Sequence, residues 1–212
     1  MSDHTLSEPV SRRSIVTAAR SLFDRKLSHG STGNISVRCG ENILVTPTGS
    51  SLGTVEADAL STIDLNGNHL AGPQPSKEAF LHAATLRARP AATAVVHTHS
   101  TYAAAVSCLA GLDPANALPP LTAYFAMRVG RLPLLPYHAP GDTSLEQLAE
   151  DTARDSSAML LANHGPVVAG LSLTAAMDAI EELEETAKLF LLLNGHRTRP
   201  LTVEQVHRLH HP

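Results

Sequence analysis

Apolar positions recur at helical spacing between Ser11 and Leu27, where Ile15, Ala18, Ala19, Leu22 and Phe23 share a face and Gly30 supplies a stop. The period then changes. Ile35 and Val37 alternate with polar residues, and Ile43-Leu44-Val45-Thr46 follows, so two strands joined around Cys39-Gly40-Glu41-Asn42 are expected. A turn-rich stretch, Asn66-Gly67-Asn68 and Gly72-Pro73, separates them from a second helical run, Lys77 to Arg89, which Pro90 ends. Ala94-Val95-Val96-His97-Thr98-His99 is apolar and β-branched before it turns polar, the pattern of a buried strand that delivers a site at its far end. Tyr102 to Leu109 reads as a short helix, and Leu132 to Tyr137 as an edge-like extended segment whose prolines cannot donate to a central ladder. Met159-Leu160-Leu161-Ala162 is a further short buried strand.

The longest predicted element runs from Leu173 to Leu193, with Ser172 as N-cap and Asn194-Gly195 as stop. Its Glu181-Glu182-Leu183-Glu184-Glu185 stretch reads most simply as a solvated helix face. A last short helix starts at Thr202, which forms a capping-box pattern with Gln205. Strands and helices are interspersed without strict alternation, so a mixed sheet flanked by helices is expected.

Composition narrows the function classes. A 212-residue chain that is 43% hydrophobic, with a net charge of -4, can bury one sizeable core, and one domain over residues 1–212 is expected. Its basic residues are scattered, which argues against nucleic-acid or membrane-surface binding. No stretch approaches the roughly 18 apolar residues of a membrane span, and the amino-terminal region lacks an apolar run after a basic start, so a cytoplasmic protein is expected. Cys39 and Cys108 lack C-x-x-C spacing and read as reduced, small apolar residues.

The chemistry-bearing residues are histidines and one glutamate. Two apart on the predicted strand, His97 and His99 project from the same face and can converge on one ion, although structural histidines at a strand end fit His-x-His equally well. Asn163-His164-Gly165, at the end of another apolar run, adds a third imidazole at a strand-to-loop junction and favours a metal. Glu78 stands in the first turn of the second predicted helix, where the helix dipole alone favours a carboxylate. With Ser76 as N-cap the capping-box position falls on Ala79, which frees Glu78 to act as ligand or acid/base. His82, four residues further on, reads as a structural residue or a support for the ligands. Gly33-Asn34, the Thr46 to Ser51 loop with Thr48 and Gly49, and Ser76 could cradle a phosphate, although each is also an ordinary turn. No Walker or Rossmann glycine pattern is present.

Taken together, Gly33-Asn34-Ile35-Ser36, Thr46-Pro47-Thr48-Gly49, Pro75-Ser76-Lys77-Glu78, His97-Thr98-His99-Ser100 and Asn163-His164-Gly165 resemble the class II aldolase/adducin family over roughly residues 10 to 195. The resemblance implies a three-layer α/β/α sandwich around a mostly antiparallel sheet, and a homo-oligomer, often a tetramer, with sites at subunit interfaces. It implies that His97, His99 and His164 hold a divalent metal, usually zinc, with Glu78 as acid/base and further ligand. Gly33, Asn34, Thr48, Gly49, Ser76 and Lys77 fall where the family holds substrate phosphate. Glu78 stands where the epimerases of the family carry aspartate, and Ser76-Lys77-Glu78 departs from the Ser-Ser-Glu of fuculose-phosphate aldolases.

The segments Tyr137 to Asp142 and Glu181 to Lys188 resemble the branch that decarboxylates 3-oxo-tetronate 4-phosphate, and Tyr124 matches that branch's proton donor. The activity so implied is loss of carbon dioxide through a metal-stabilised enediolate to give dihydroxyacetone phosphate, with Tyr124 or Glu78 protonating C2 and Lys77 adding a cation beside phosphate or carboxylate. A class II sugar-phosphate aldolase using the same residues is the alternative, and a non-catalytic adducin-like module is a second one, against which the retained histidines and Glu78 argue.

Overall fold

The computed structural model describes residues 7–210. Helix α1 (Glu8–Asp24) leads into a hairpin of β1 (Asn34–Cys39) and β2 (Asn42–Val45), and a second hairpin follows from β3 (Ser61–Asp64) and β4 (His69–Ala71). Helix α2 (Ala79–Ala88), β5 (Ala94–His97) and α3 (Thr101–Ser107) come next, then α4 (Ala123–Arg128), β6 (Leu134–Leu135), α5 (Glu146–Asp155) and β7 (Ala158–Leu161). The chain continues through β8 (Gly165–Gly170), the long α6 (Leu173–Leu192) and α7 (Val203–His210). No described helix is long and apolar enough to cross a membrane.

All the strands belong to one sheet, in the order β4-β3-β2-β1-β5-β8-β7-β6. The mostly antiparallel expectation becomes a mixed sheet, because β6 joins β7 in parallel at one edge while every other junction is antiparallel. Parallel neighbours need a crossover, which α5 supplies. β6 lies at the sheet edge, where Pro133 and Pro136 cost no central ladder bond.

Strand alternation divides the core between the two faces. Ile35, Val37, Ala94 and Val96 point into an apolar layer with residues of α1, α3, α4 and α6, whereas Ile43, Val45 and Val95 point into a layer with α2 and α5. Arg87 of α2 locks the second layer by bonding Glu146 and Glu150 of α5 and the Leu65 carbonyl at 2.9, 2.5 and 2.7 Å.

By the same alternation Asn34, Ser36 and His97 turn away from the first layer and toward α2. Asn34 is the cross-strand partner of His97. The pattern of β1 and β5 therefore decides which polar groups meet the residues of α2.

Three further expectations change. The second helix starts at Ala79, with Glu78 at the N-cap position instead of in the first turn. β5 ends at His97, so His99 lies in the turn that precedes α3 and not on the strand. Nor is the acidic stretch of α6 a solvated face: Leu183 and Glu184 are buried. The Glu184 carboxylate accepts from the backbone N–H groups of Tyr102 at 2.9 Å and Ala103 at 2.8 Å. It caps a helix whose own Ser100 makes no side-chain cap.

Removing that carboxylate leaves two helix-end N–H groups without an acceptor in a buried place. Glu184→Ala is expected to lower unfolding free energy by about 1.5–3 kcal/mol, read as a lower urea midpoint. An unchanged midpoint would contradict the capping role.

Candidate metal centre

The site lies where β1 begins, β5 ends and β8 begins. Gly33 opens it: its φ is +77°, and a Cβ there would sit 2.9 Å from the His97 carbonyl, so the backbones meet closely only because the residue is glycine. Asn163 also adopts positive φ, 56°, in the three-residue connection between Leu161 and Gly165 that presents His164. The far end of α3 holds this turn, since the Ser107 carbonyl accepts from Asn163 N–H at 3.0 Å and the Ser107 hydroxyl from His164 N–H at 3.1 Å. α3 thus connects the His99 turn to the His164 turn, and Glu184 pins its start.

Glu78, His97, His99 and His164 converge so that one donor atom from each lies within 4.8 Å of all the others. Nε2 of His99 is 3.0 Å from Nε2 of His97 and 2.9 Å from that of His164. The Glu78 carboxylate lies 3.4 Å from His97 through Oε2 and 3.1 Å from His164 through Oε1. His97 donates its Nδ1–H to the Pro166 carbonyl at 2.8 Å, which leaves its Nε2 lone pair facing the cluster. A bare lone pair opposite another imidazole nitrogen and a carboxylate oxygen is an arrangement that a cation completes. Tetrahedral nitrogens on a zinc ion sit about 3.3 Å apart, close to the spacing found. The donor set therefore fits a divalent metal.

Burial pushes the His99 imidazole down to about 3 and that of His164 down to about 4, helped in both by the neighbouring His97, so both rings are held neutral, the form that ligates. Burial works to raise the Glu78 carboxyl, but His97, His164 and the Asn34 amide overcome it and hold the group below the usual carboxylate range.

Behind the cluster stands a polar chain. Asn34 Nδ2 donates to Glu78 Oε2 at 2.9 Å and to Ser76 Oγ at 3.0 Å. Its Oδ1 is 2.5 Å from His82 Nε2, and His82 Nδ1 is 2.7 Å from Ser36 Oγ. His82 is fully buried, and that burial, with His97 nearby, drives its imidazole down to about 3.

The other candidates are placed less tightly. Asn34 and Ser76 bond Glu78, and Gly33 lies against the His97 carbonyl. Thr48 and Gly49 occupy the next turn, tied to the Ser76 segment by the Pro47–Pro75 bridge and by Thr48 N–H donating to the Gln74 carbonyl. Lys77 is exposed, its stem beside Gly141 in the Tyr137 to Asp142 loop. Tyr124 stands apart on α4, 61% exposed with the Arg128 guanidinium 5.1 Å over its ring. Ser36 and the Pro166 carbonyl were not foreseen. The alternation of Ile35 and Val37 was a signal for Ser36, since it sets that hydroxyl on the side of Asn34; nothing in the sequence marks a carbonyl.

Fold and site define a class. Residues 13–191 match the model of the class II aldolase and adducin N-terminal domain, and the chain belongs to this family. A Haemophilus influenzae protein named 3-oxo-tetronate 4-phosphate decarboxylase is 48% identical over 193 residues, 91% of this chain and 92% of its own length. The crystal structure of YgbL from Klebsiella pneumoniae is 45% identical, covers 96% of this chain and 99% of its own, and superposes with a TM-score of 0.93. A more distant relative, the L-fuculose phosphate aldolase of Methanocaldococcus jannaschii, is 37% identical over 182 residues, 85% of this chain and 96% of its own.

The depressed imidazoles make acid a specific stress on the metal-free protein. His82, His99 and His164 fall from 6.5 to about 3, 3 and 4 on folding, so the unfolded chain takes up protons first as pH drops. Stability should be unaffected by these groups above about pH 6.5 and should decline between there and about pH 3. Urea titrations of metal-free protein across that window check this, and a flat profile would contradict it.

Proposed function

We propose that this enzyme is a carbon-carbon lyase that decarboxylates 3-oxo-tetronate 4-phosphate to dihydroxyacetone phosphate and carbon dioxide. The observation that carries the reading is the convergence of three imidazoles and one buried carboxylate, in a chain nearly half identical to a protein named for that reaction.

His97, His99, His164 and Glu78 would hold the divalent ion, and imidazole nitrogen with carboxylate oxygen suits zinc. When bound, such an ion supplies a Lewis acid for the negative charge that develops on substrate oxygen. Gly33, Thr48, Gly49 and Ser76 would offer a phosphate their hydroxyls and close backbone approach, the Thr48 and Ser76 N–H groups being already bonded to the Gln74 and Thr46 carbonyls, and Lys77 would add a cation at the rim. Asn34 belongs beside them, but its amide is already committed to Glu78 and Ser76.

In the reaction the C1–C2 bond breaks, its electron pair passes into the C2–C3 enediolate, and carbon dioxide leaves. C2 then needs a proton. The imidazoles and the Asn34 amide keep Glu78 as a carboxylate, so a phenol is the better donor, and we assign that step to the Tyr124 hydroxyl. Tyr124 is solvent-facing on α4, so it would serve the site of a neighbouring copy in a homo-oligomer, with a tetramer favoured.

Incubation of zinc-loaded protein with 3-oxo-tetronate 4-phosphates should release carbon dioxide and dihydroxyacetone phosphate, and in the same assay Lys77→Ser should raise KM. An aldehyde formed from ketose phosphates, without carbon dioxide from the tetronates, would transfer the site to aldol cleavage.

A further inference from the structure

The donors and acceptors behind Glu78 admit a single arrangement about a neutral His82. Asn34 Nδ2 faces a carboxylate oxygen at 2.9 Å and the Ser76 hydroxyl at 3.0 Å. Turning the amide over would set its oxygen against the carboxylate, so Oδ1 must face His82. A carbonyl oxygen cannot donate; His82 Nε2, 2.5 Å away, therefore carries the ring proton. In the neutral ring that full burial favours, Nδ1 is a lone pair, and the Ser36 hydroxyl at 2.7 Å donates to it. Donation runs one way, from Ser36 to His82 to Asn34 to Glu78. Ser36 and His82 are both 0% exposed, which keeps water from substituting for either.

We infer that this buried chain is a tautomer-locked relay and that His82 is a positioning residue, holding Glu78 Oε2 through Asn34 and so fixing how the carboxylate meets the imidazoles. The geometry supports this: Oε2 is bonded to Asn34 and lies 3.4 Å from His97, and Oε1, with no bond to Asn34, faces His164 at 3.1 Å. The opposite tautomer would place the Nε2 lone pair against the Asn34 oxygen, turn the amide, and cost Glu78 its donor.

The inference rests on Glu78 serving the chemistry proposed above, and its tests do not depend on the substrate. In the full-length protein with 15N-labelled histidine, the His82 ring, assigned by its loss in His82→Gln, should be a neutral imidazole protonated on Nε2, with and without zinc. A proton on Nδ1, an exchanging mixture of tautomers, or an imidazolium would overturn the relay. His82→Leu should weaken zinc affinity or lower kcat by about 10- to 100-fold, with KM within about threefold of wild type. His82→Gln, whose amide can still donate toward Asn34, should recover part of the loss. Wild-type zinc affinity and kcat in folded His82→Leu would also overturn it. Should that variant fail to fold, the wild-type tautomer and Ser36→Ala, expected to release the lock, decide the matter. Intact carbon dioxide release with the wrong tautomer refutes the relay alone; the expected tautomer and zinc binding without carbon dioxide release refutes the decarboxylase reading alone.

Discussion

A carboxylate taken out of water costs several kcal/mol unless its charge is answered, and Glu78, 7% exposed, is answered by His97, His164 and Asn34. The Ser76 hydroxyl positions the residue instead, accepting from the Glu78 backbone N–H at 3.3 Å at the head of α2. Each answering group comes from a different element. The folded state brings together the start of β1, the end of β5, the β7–β8 turn and the head of α2, and a defect in any one leaves a buried charge short of partners.

Much of the architecture serves that meeting. Antiparallel pairing of β1 with β5 and of β5 with β8 places Asn34 beside His97 and His97 beside Val167, next to the carbonyl that fixes the His97 tautomer. α3 spans the distance from the His99 turn to the His164 turn, and α6 reaches across with Glu184 to secure it. The long helix thereby acts on the site without touching the reacting atoms. A shift of the Glu184 carboxylate would move α3, and with it two of the three imidazoles.

The sequence carried the local part of this arrangement and little of the distant part. Alternation marked β1, β2 and β5, and Ser172 marked the start of α6, because these signals lie within a few residues of what they determine. Short elements with mixed composition, such as α5, β8 and the β3–β4 hairpin, escaped because neighbours in space stabilise them more than their own residues do. His97, His99 and His164 were legible by type and by position at strand ends. Their joint geometry was reached for an inexact reason, since His99 is not on the strand. His82 reads from the sequence as structural or as a support for the ligands; what it supports is not legible there, because its partners, Asn34 and Ser36, are more than forty residues earlier in the chain. Glu184 was misread for the same reason: a cap supplied from eighty residues away has no local signature.

The convergence of Glu78, His97, His99 and His164 on one ion is the claim on which site and function both stand. Elemental analysis of full-length protein equilibrated with Zn2+ and then freed of unbound metal tests it directly. A single ion retained per chain in the wild type, and its loss in folded His97→Ala and His164→Ala, is the result predicted. A folded wild type that retains no ion, or variants that retain it unchanged, would contradict the assignment.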